Sequence, residues 1–288
     1  MRLIKPSYKI IEQEPGINGV YKMIEYAGRI CYKSSNKITE DSAKPFVDRM
    51  IKSGHGAMLE HGTVYLQVPN SNDICLVLAL NPYTKYKSMG DTCYATTNLR
   101  VLVEHDALWL MKYQCEPTEY HERRVTVHFV CDRGVSHEFV RHRVFSFAQE
   151  STRYCNYSKD KFGNQITFIQ PSWITLDKEI APINELCFLT KQYDTDDPNL
   201  RYLASLVEAN YTYVLLLNKG WTPQQARAVL PNSLKTELVM TGFVSDWKHF
   251  FRLRSRIAET GKPHPQAQEL ADPLMDEFVK RGIMETLL

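Results

Sequence analysis

The chain has 288 residues, of which 43% are hydrophobic and 24% charged, and its 35 basic and 33 acidic side chains leave a formal net charge of +2. These values suit one large or two small globular domains with a proper core, and they exclude a disordered chain. They give no support to a nucleic-acid-coating role, and the longest apolar run, about Tyr213 to Leu217, is too short to span a bilayer.

The N-terminal stretch MRLIKPSYKIIEQE has no apolar signal segment, so a cytoplasmic protein is expected. Cysteines at 31, 75, 93, 115, 131, 155 and 187 are odd in number and include no CxxC. Reduced, mostly buried thiols follow, with a single nucleophilic cysteine left open.

In chain order, 7–12 reads as a short strand. Residues 18–31 carry Val20, Met23, Ile24, Ala27 and Ile30 at helical spacing, with Asn18 as the N-cap. A second helix covers 39–53, with Phe46, Val47 and Met50 on its apolar side. Thr63 to Val68 reads as a strand ended by Pro69. Segment 74–112 is expected to form two helices joined by a turn at Gly90-Asp91. Residues 122–131 alternate with period two, Val125, Val127 and Phe129 facing one way and Thr126, His128 and Val130 the other, which predicts a strand. Residues 133–147 read as a helix or a strand-to-helix junction, and 166–169 as a short strand.

The remainder is more helical. Asp196, Asp197 and Pro198 open a long helix that stops at Gly220. Thr222-Pro223-Gln224-Gln225 fits a capping box with proline at the first helical position. A strand over 234–242, a helix over 246–258 capped by Ser245, and a last helix over about 265–281 complete the chain. Strands and helices lack a regular βαβ rhythm, so the fold class expected is α+β.

Chemistry concentrates in HEFVRHRVFSFAQESTRY, residues 137–154. Arginine forks bind phosphate or carboxylate, Ser146, Ser151 and Thr152 supply hydroxyls, and Phe145, Phe147 and Tyr154 can stack on a ring. An anionic, aromatic ligand such as a nucleotide would fit. The plainer reading is a solvated basic helix face, and residue by residue that reading is favoured. His137-Glu138 with His142 is not HExxH, because the second histidine comes one residue late. GxGxxG, GxxxxGK[ST] and GxSxG are all missing, and no metal site is expected.

Arg141-His142-Arg143, seven residues, then Ser151-Thr152-Arg153 reads RHR-x7-S-x-R, which resembles the signature of the flavin-dependent thymidylate synthases. GHGAMLEHGTVYLQV, QQARAVLPNSLKTELVMTGF, and HFFRLRSR followed by HPQAQEL resemble other segments of that family, in the same order. The resemblance implies one mixed domain over 1–288 of that type, with residues 70–121 as a helical insertion. It implies methylation of dUMP to dTMP with methylenetetrahydrofolate as carbon donor and NADPH as reductant through FAD. It also implies a homotetramer with active sites shared between subunits, binding dUMP and folate but neither nucleic acid nor membrane.

Carried over position by position, the resemblance gives Thr63, Arg141, His142, Arg143, Gln149 and His249 to the flavin, with His61 close by. It gives Glu138, Arg141, Gln149, Glu150, Ser151, Thr152, Arg153, Arg227 and Arg254 to dUMP. Catalytic roles fall on Arg254, which would stabilise the anionic uracil ring, and on Ser151 and His61. Taken singly, His61 would be a structural hydrogen-bonder, Arg227 an exposed helix residue and Arg254 one half of a surface salt bridge. Four positions depart from the family pattern: Glu138 for glutamine, Ala148 for asparagine, Gln149 for glutamate and His249 for asparagine. These departures motivate an alternative, a nucleotide- or flavin-binding module without turnover. A third reading, a nucleic-acid binder using 141–153, is opposed by the charge balance.

Overall fold

The computed structural model describes residues 1–71, 74, 78, 81–157, 165–175 and 196–287. Its strands are β1 (Arg2–Ile4), β2 (Ser7–Ile11), β3 (Thr63–Pro69), β4 (Lys85–Met89), β5 (Thr92–Asn98), β6 (Arg124–Asp132), β7 (Ser146–Gln149), β8 (Thr167–Ile169) and β9 (Lys235–Phe243). The helices are α1 (Gly16–Tyr32), α2 (Ala43–Lys52), α3 (Gly56–Leu59), α4 (Leu99–Glu104), α5 (Arg133–Phe139), α6 (Pro198–Asn218), α7 (Pro223–Ala226), α8 (Val244–Arg254) and α9 (Pro265–Lys280). The fold is α+β, as expected.

The period-two segment becomes β6, one of the two inner strands of an antiparallel sheet of order β2-β6-β9-β7. Val125, Val127 and Phe129 lie with Leu238 and Met240 on one face, covered by Trp247, Phe250 and Phe251 of α8 and Leu274 and Phe278 of α9. Burying each of these side chains contributes about 2–3 kcal/mol. Trp247 also donates through Nε1 to Val125 O at 3.1 Å, so its one polar atom is satisfied inside the core. The opposite face packs on α1, where Ala27 and Ile30 meet Val239 and Ala148.

Gly242 lies under the Phe145 ring. A Cβ there would stand 2.4 Å from Phe145 Cδ1, so the sheet accepts only glycine at this point. Gly242→Ala is expected to lower stability by about 1–3 kcal/mol, the usual overpacking penalty. A urea midpoint equal to the parent's would show that Phe145 yields without strain.

A second sheet has the order β3-β5-β4, antiparallel throughout. It corrects the expectation of helices over 74–112. Ile74 and Leu78 are helical and buried, but the rest of 72–80 lies outside the described residues. Residues 85–98 form a hairpin, with the pair Met89↔Thr92 closing a two-residue loop at Gly90-Asp91 and Gly90 at φ +59°. Gly-Asp loops of this length suit hairpins, and the threonine-rich strand Thr92–Asn98 suits a pleated surface. The helix that follows, α4, is short and capped by Asn98, whose Oδ1 accepts from Val101 N at 3.2 Å. Val64, Leu66, Cys93 and Ala95 bury this sheet against Val20 and Ile24 of α1 and Phe46 and Val47 of α2. The excursion from the central sheet is therefore partly β rather than helical. It leaves at Thr63 and returns at Arg124, whose Nη1 donates to Glu60 O at 3.0 Å and to Thr63 Oγ1 at 3.3 Å.

A third cluster joins Leu206 and Tyr213 of α6 to Phe168 of β8, which pairs in parallel with β1. Asp197 accepts from Asn199 N at 2.8 Å with Pro198 at the first helical position, as the cap signal predicts. The Thr222 box also forms, with Thr222 N donating to Gln225 Oε1 at 2.9 Å. Two other caps differ from expectation. Pro15, not Asn18, precedes α1, because Gly16 at φ +72° lets the helix start earlier. Asp246, not Ser245, serves the start of α8 by accepting from Phe243 N at 3.1 Å, while the Ser245 hydroxyl meets Lys85. That helix stops at Arg254, where Ser255 is extended.

Cys31, Cys115 and Cys131 are free thiols; Cys75 and Cys187 lie outside the described residues. No helix among the described residues is long and apolar enough to cross a membrane.

Candidate active site

The motif is arranged around β7, the edge strand of the central sheet. Upstream, Asp132 caps α5, its Oδ1 accepting from Val135 N at 2.6 Å. The helix ends at Phe139 and the chain turns through Arg141-His142-Arg143 into β7. His142 is only 8% exposed, against Phe145, His249 and Phe250. Arg141 and Arg143 point outward and have no hydrogen-bond or ion-pair partner among the described side chains.

Arg254, in the last turn of α8, closes this end. Its Nε donates to His142 Nε2 at 3.1 Å, its Nη1 to Glu138 Oε2 at 2.6 Å and its Nη2 to Glu138 O at 3.2 Å. A glutamate before the motif thereby finds its cation, and the Glu138 departure is accounted for. Burial first, then Arg254, His249 and Arg141, push the His142 pKa down to about 4. The ring is neutral at physiological pH, so Nε2 can accept from Arg254.

The sign of the pH effect follows. The unfolded chain binds a proton near pH 6.5 that the folded chain refuses until about 4, so this stability is present above pH 6.5 and lost as pH falls to 4. The loss is expected to approach ~3 kcal/mol. His142→Gln should flatten the slope of unfolding free energy across that window; an unchanged slope would refute the assignment.

The other end of β7 carries Ser151, Thr152 and Arg153. Ser151 N donates to Cys31 O at 3.0 Å and Glu150 N to Glu237 O at 2.8 Å, so the turn hangs on α1 and β9. Arg227 Nη1 donates to Thr152 Oγ1 at 2.9 Å. The Arg153 guanidinium is exposed, 5.6 Å from the centroid of the Tyr154 ring, with no carboxylate partner among the described residues.

Not every expected residue is free for a ligand. Gln149 points inward, its Nε2 donating to Ser136 Oγ at 2.8 Å and to Thr236 Oγ1 at 3.3 Å. Ala148 is 1% exposed and packs with Ala27 and Ile30 of α1. The Glu150 carboxylate, 1% exposed, is held by Lys235 Nζ at 2.6 Å and Tyr157 OH at 3.2 Å. His61 is wholly enclosed, with Nδ1 2.8 Å from Thr241 Oγ1, which is in turn 2.8 Å from Thr126 Oγ1. Burial, then Arg124, lower its pKa to about 3, so the ring is neutral at physiological pH. Thr63 is 5% exposed, its N–H and C=O both held by the Gln13 amide. No hydrogen bond links His61 or Thr63 to Arg254 or Ser151 among the described residues.

Burial also raises Cys31 to about 11 and raises Cys131, so neither is a thiolate at neutral pH. Among the described residues no cluster of His, Cys, Asp and Glu is arranged to hold a metal.

Sequence reasoning missed the supports of the 150–153 turn. Lys235 joins Glu150 to Glu237, and Glu237 also takes Lys33 and His128 Nε2, the latter at 3.2 Å. Lys33, Glu150, Lys235 and Glu237 border a cavity of about 450 Å³ with Arg2 and Tyr157. These supports come from the end of α1, from β6, from the turn after β7 and from β9, and no spacing in the chain announces them.

Unpaired guanidiniums at both ends of one edge strand, a neutral buried histidine and a forked arginine offer donors of the kind that bind anionic groups. The family described as thymidylate synthase complementing protein matches residues 109–281, and the chain belongs to that family. A flavin-dependent thymidylate synthase from Corynebacterium aurimucosum is 27% identical over 252 residues, spanning 85% of this chain and 71% of the relative. Another, from Pyrococcus furiosus, is 28% identical over 158 residues, spanning 55% of each. A UMP/dUMP methylase, PolB from Streptomyces cacaoi, solved with 5-Br dUMP, aligns over 97% of this chain and 93% of its own at 18% identity and a TM-score of 0.44.

Proposed function

We propose that this chain is a flavin-dependent thymidylate synthase that methylates dUMP to dTMP, with methylenetetrahydrofolate as carbon donor and NADPH as reductant. Family membership supports the reading, and one observation carries it in this chain. The motif's free cations, Arg141, Arg143 and Arg153, flank β7 while Arg254 is held ready by Glu138 and His142.

The donor set suits FAD. Two outward guanidiniums on either side of a buried neutral imidazole match a pyrophosphate, and the His249 ring beside His142 offers a further contact. When bound, the flavin supplies reducing equivalents. The chain's own residues bind and orient. Arg153 and Arg227 hold the dUMP phosphate, and Ser151 and Thr152 add hydroxyl contacts. Arg254 faces the uracil and stabilises its anionic form, which is the more nucleophilic at C5. Glu138 and His142 fix the plane of that guanidinium.

A homotetramer with shared active sites is part of the proposal. β7 keeps the two ends of the motif apart, so a second copy would complete each site. We also take the chain as one domain carrying an excursion between Thr63 and Arg124, working in the cytoplasm on soluble substrates.

Anaerobic incubation with dUMP, methylenetetrahydrofolate, FAD and NADPH, followed by chromatography, tests the reading. FAD-dependent dTMP is expected. A protein that binds flavin and dUMP yet forms no dTMP would overturn it in favour of binding without turnover.

A further inference from the structure

We infer that Lys33, far from the motif in sequence, is a positioning residue for the 150–153 turn, acting through the buried network Lys33–Glu237–Lys235–Glu150. The inference rests on the assignment of dUMP to Ser151 and Arg153.

Lys33 ends α1 with φ 48° and ψ 56°, the left-handed conformation that helix ends normally give to glycine. A side chain with a β-carbon is strained there, and strain of this kind persists only where the surroundings impose it. What the surroundings gain is a cation on Glu237. That carboxylate also receives Lys235 and His128 Nε2, and the Nδ1 of His128 meets Tyr26 OH at 2.7 Å, back on α1. Lys235 continues to Glu150, in the turn itself.

The closed circuit clamps α1 to β9. The turn depends on the same two elements, since Ser151 N is held by Cys31 O of α1 and Glu150 N by Glu237 O of β9. A shift of the end of α1 relative to β9 would move Ser151 directly and swing Arg153, two residues on. Burial alone would raise the Glu237 pKa, yet His128, Lys235 and Lys33 hold it well below the ordinary carboxylate range. Glu237 therefore stays charged, and Lys33 and Lys235 both stand against it, with Lys235 also reaching Glu150. With Lys33 gone, Lys235 alone is shared between two carboxylates, and the polar links from α1 to β9 are reduced to the His128–Tyr26 pair, beside the packing of Ala27 and Ile30 on Val239.

The site separates positioning from stability. Lys33→Gly removes the clamp and relieves the backbone strain together, so the melting temperature is expected to hold or rise. The dUMP dissociation constant is expected to rise roughly tenfold, the scale of losing one charge-assisted contact. The Ser151 amide should exchange with deuterium faster, and Lys33→Arg, which keeps the cation, should restore binding. Titration calorimetry of dUMP, melting curves and amide exchange on the parent, Lys33→Gly and Lys33→Arg decide the matter. Weaker binding in Lys33→Gly at undiminished melting temperature, rescued by arginine, supports the role. Parent-like binding in Lys33→Gly overturns it and leaves the dUMP site standing, as does weakening matched by a fall in melting temperature. A parent chain that does not bind dUMP overturns the nucleotide assignment itself, and the positioning role with it.

Discussion

Arg254→Ala is expected to form dTMP at least about a hundredfold more slowly than the parent chain, the usual penalty for deleting a donor aimed at a developing anion. Arg254 makes three charge-assisted contacts from one planar group, to His142 Nε2, Glu138 Oε2 and Glu138 O. Its side chain is 18% exposed, so it is both fixed and reachable. Alanine would also strip Glu138 and His142 of their shared donor and free both to move. Arg254→Lys should recover little, because one ammonium cannot span an imidazole nitrogen, a carboxylate and a carbonyl at once. Arg256 is the control. It reaches Asp276 on the surface, with both partners about half exposed, and Arg256→Ala should leave turnover unchanged. Full activity in Arg254→Ala with none in Arg256→Ala would move the role along the chain and break the motif alignment here.

The second large effect concerns stability. Lys235→Met is expected to destabilise the fold by about 3–5 kcal/mol, the range for leaving a buried charge without its partner. The Lys235 side chain is 12% exposed, Glu150 1% and Glu237 10%, so all three groups sit largely out of water. By contrast the Lys44–Asp48 pair, with side chains 67% and 55% exposed, should be worth less than ~1 kcal/mol. A urea midpoint shift at constant slope is the readout, and adding Glu150→Gln should recover part of the loss. The pH dependence has a definite sign. With its pKa depressed, Glu237 contributes stability that is present at neutral pH and lost as pH falls below the ordinary carboxylate range. Lys235→Met should lessen that acid-side loss. A variant as stable as its parent would show that Lys33 alone balances both carboxylates.

Local signals in the chain were sufficient where structure is local. β6 follows from alternation at 125–130, and α6 from Asp197-Pro198 at one end and the residues before Gly220 at the other. The hairpin at 85–98 was obscured. Leu99, Val101 and Leu102, which form the short helix α4, lent their spacing to the threonine-rich strand before them. The turn at Gly90-Asp91 was visible, but what it joins depends on pairing between strands. The RHR-x7-S-x-R spacing located the site, yet it could not say which side chains were already committed. Gln149 and Glu150 sit within the motif and face inward, because β9 and Lys235 are waiting for them from a segment far along the chain. For the same reason Glu138 was only a puzzle until α8 brought Arg254 to it.

The touching ends of the excursion, Thr63 and Arg124, also set an order of events during synthesis. The β3-β5-β4 sheet is built from neighbours in sequence and can close as soon as it leaves the ribosome. β2, made earlier, waits for β6, since Ile11 pairs with Thr126 only after the whole excursion has emerged. β6 in turn waits for β9, near the end of the chain. The nascent protein therefore carries a finished outer sheet beside an unfinished central one, and Val127 and Phe129 stay uncovered until α8 and α9 arrive.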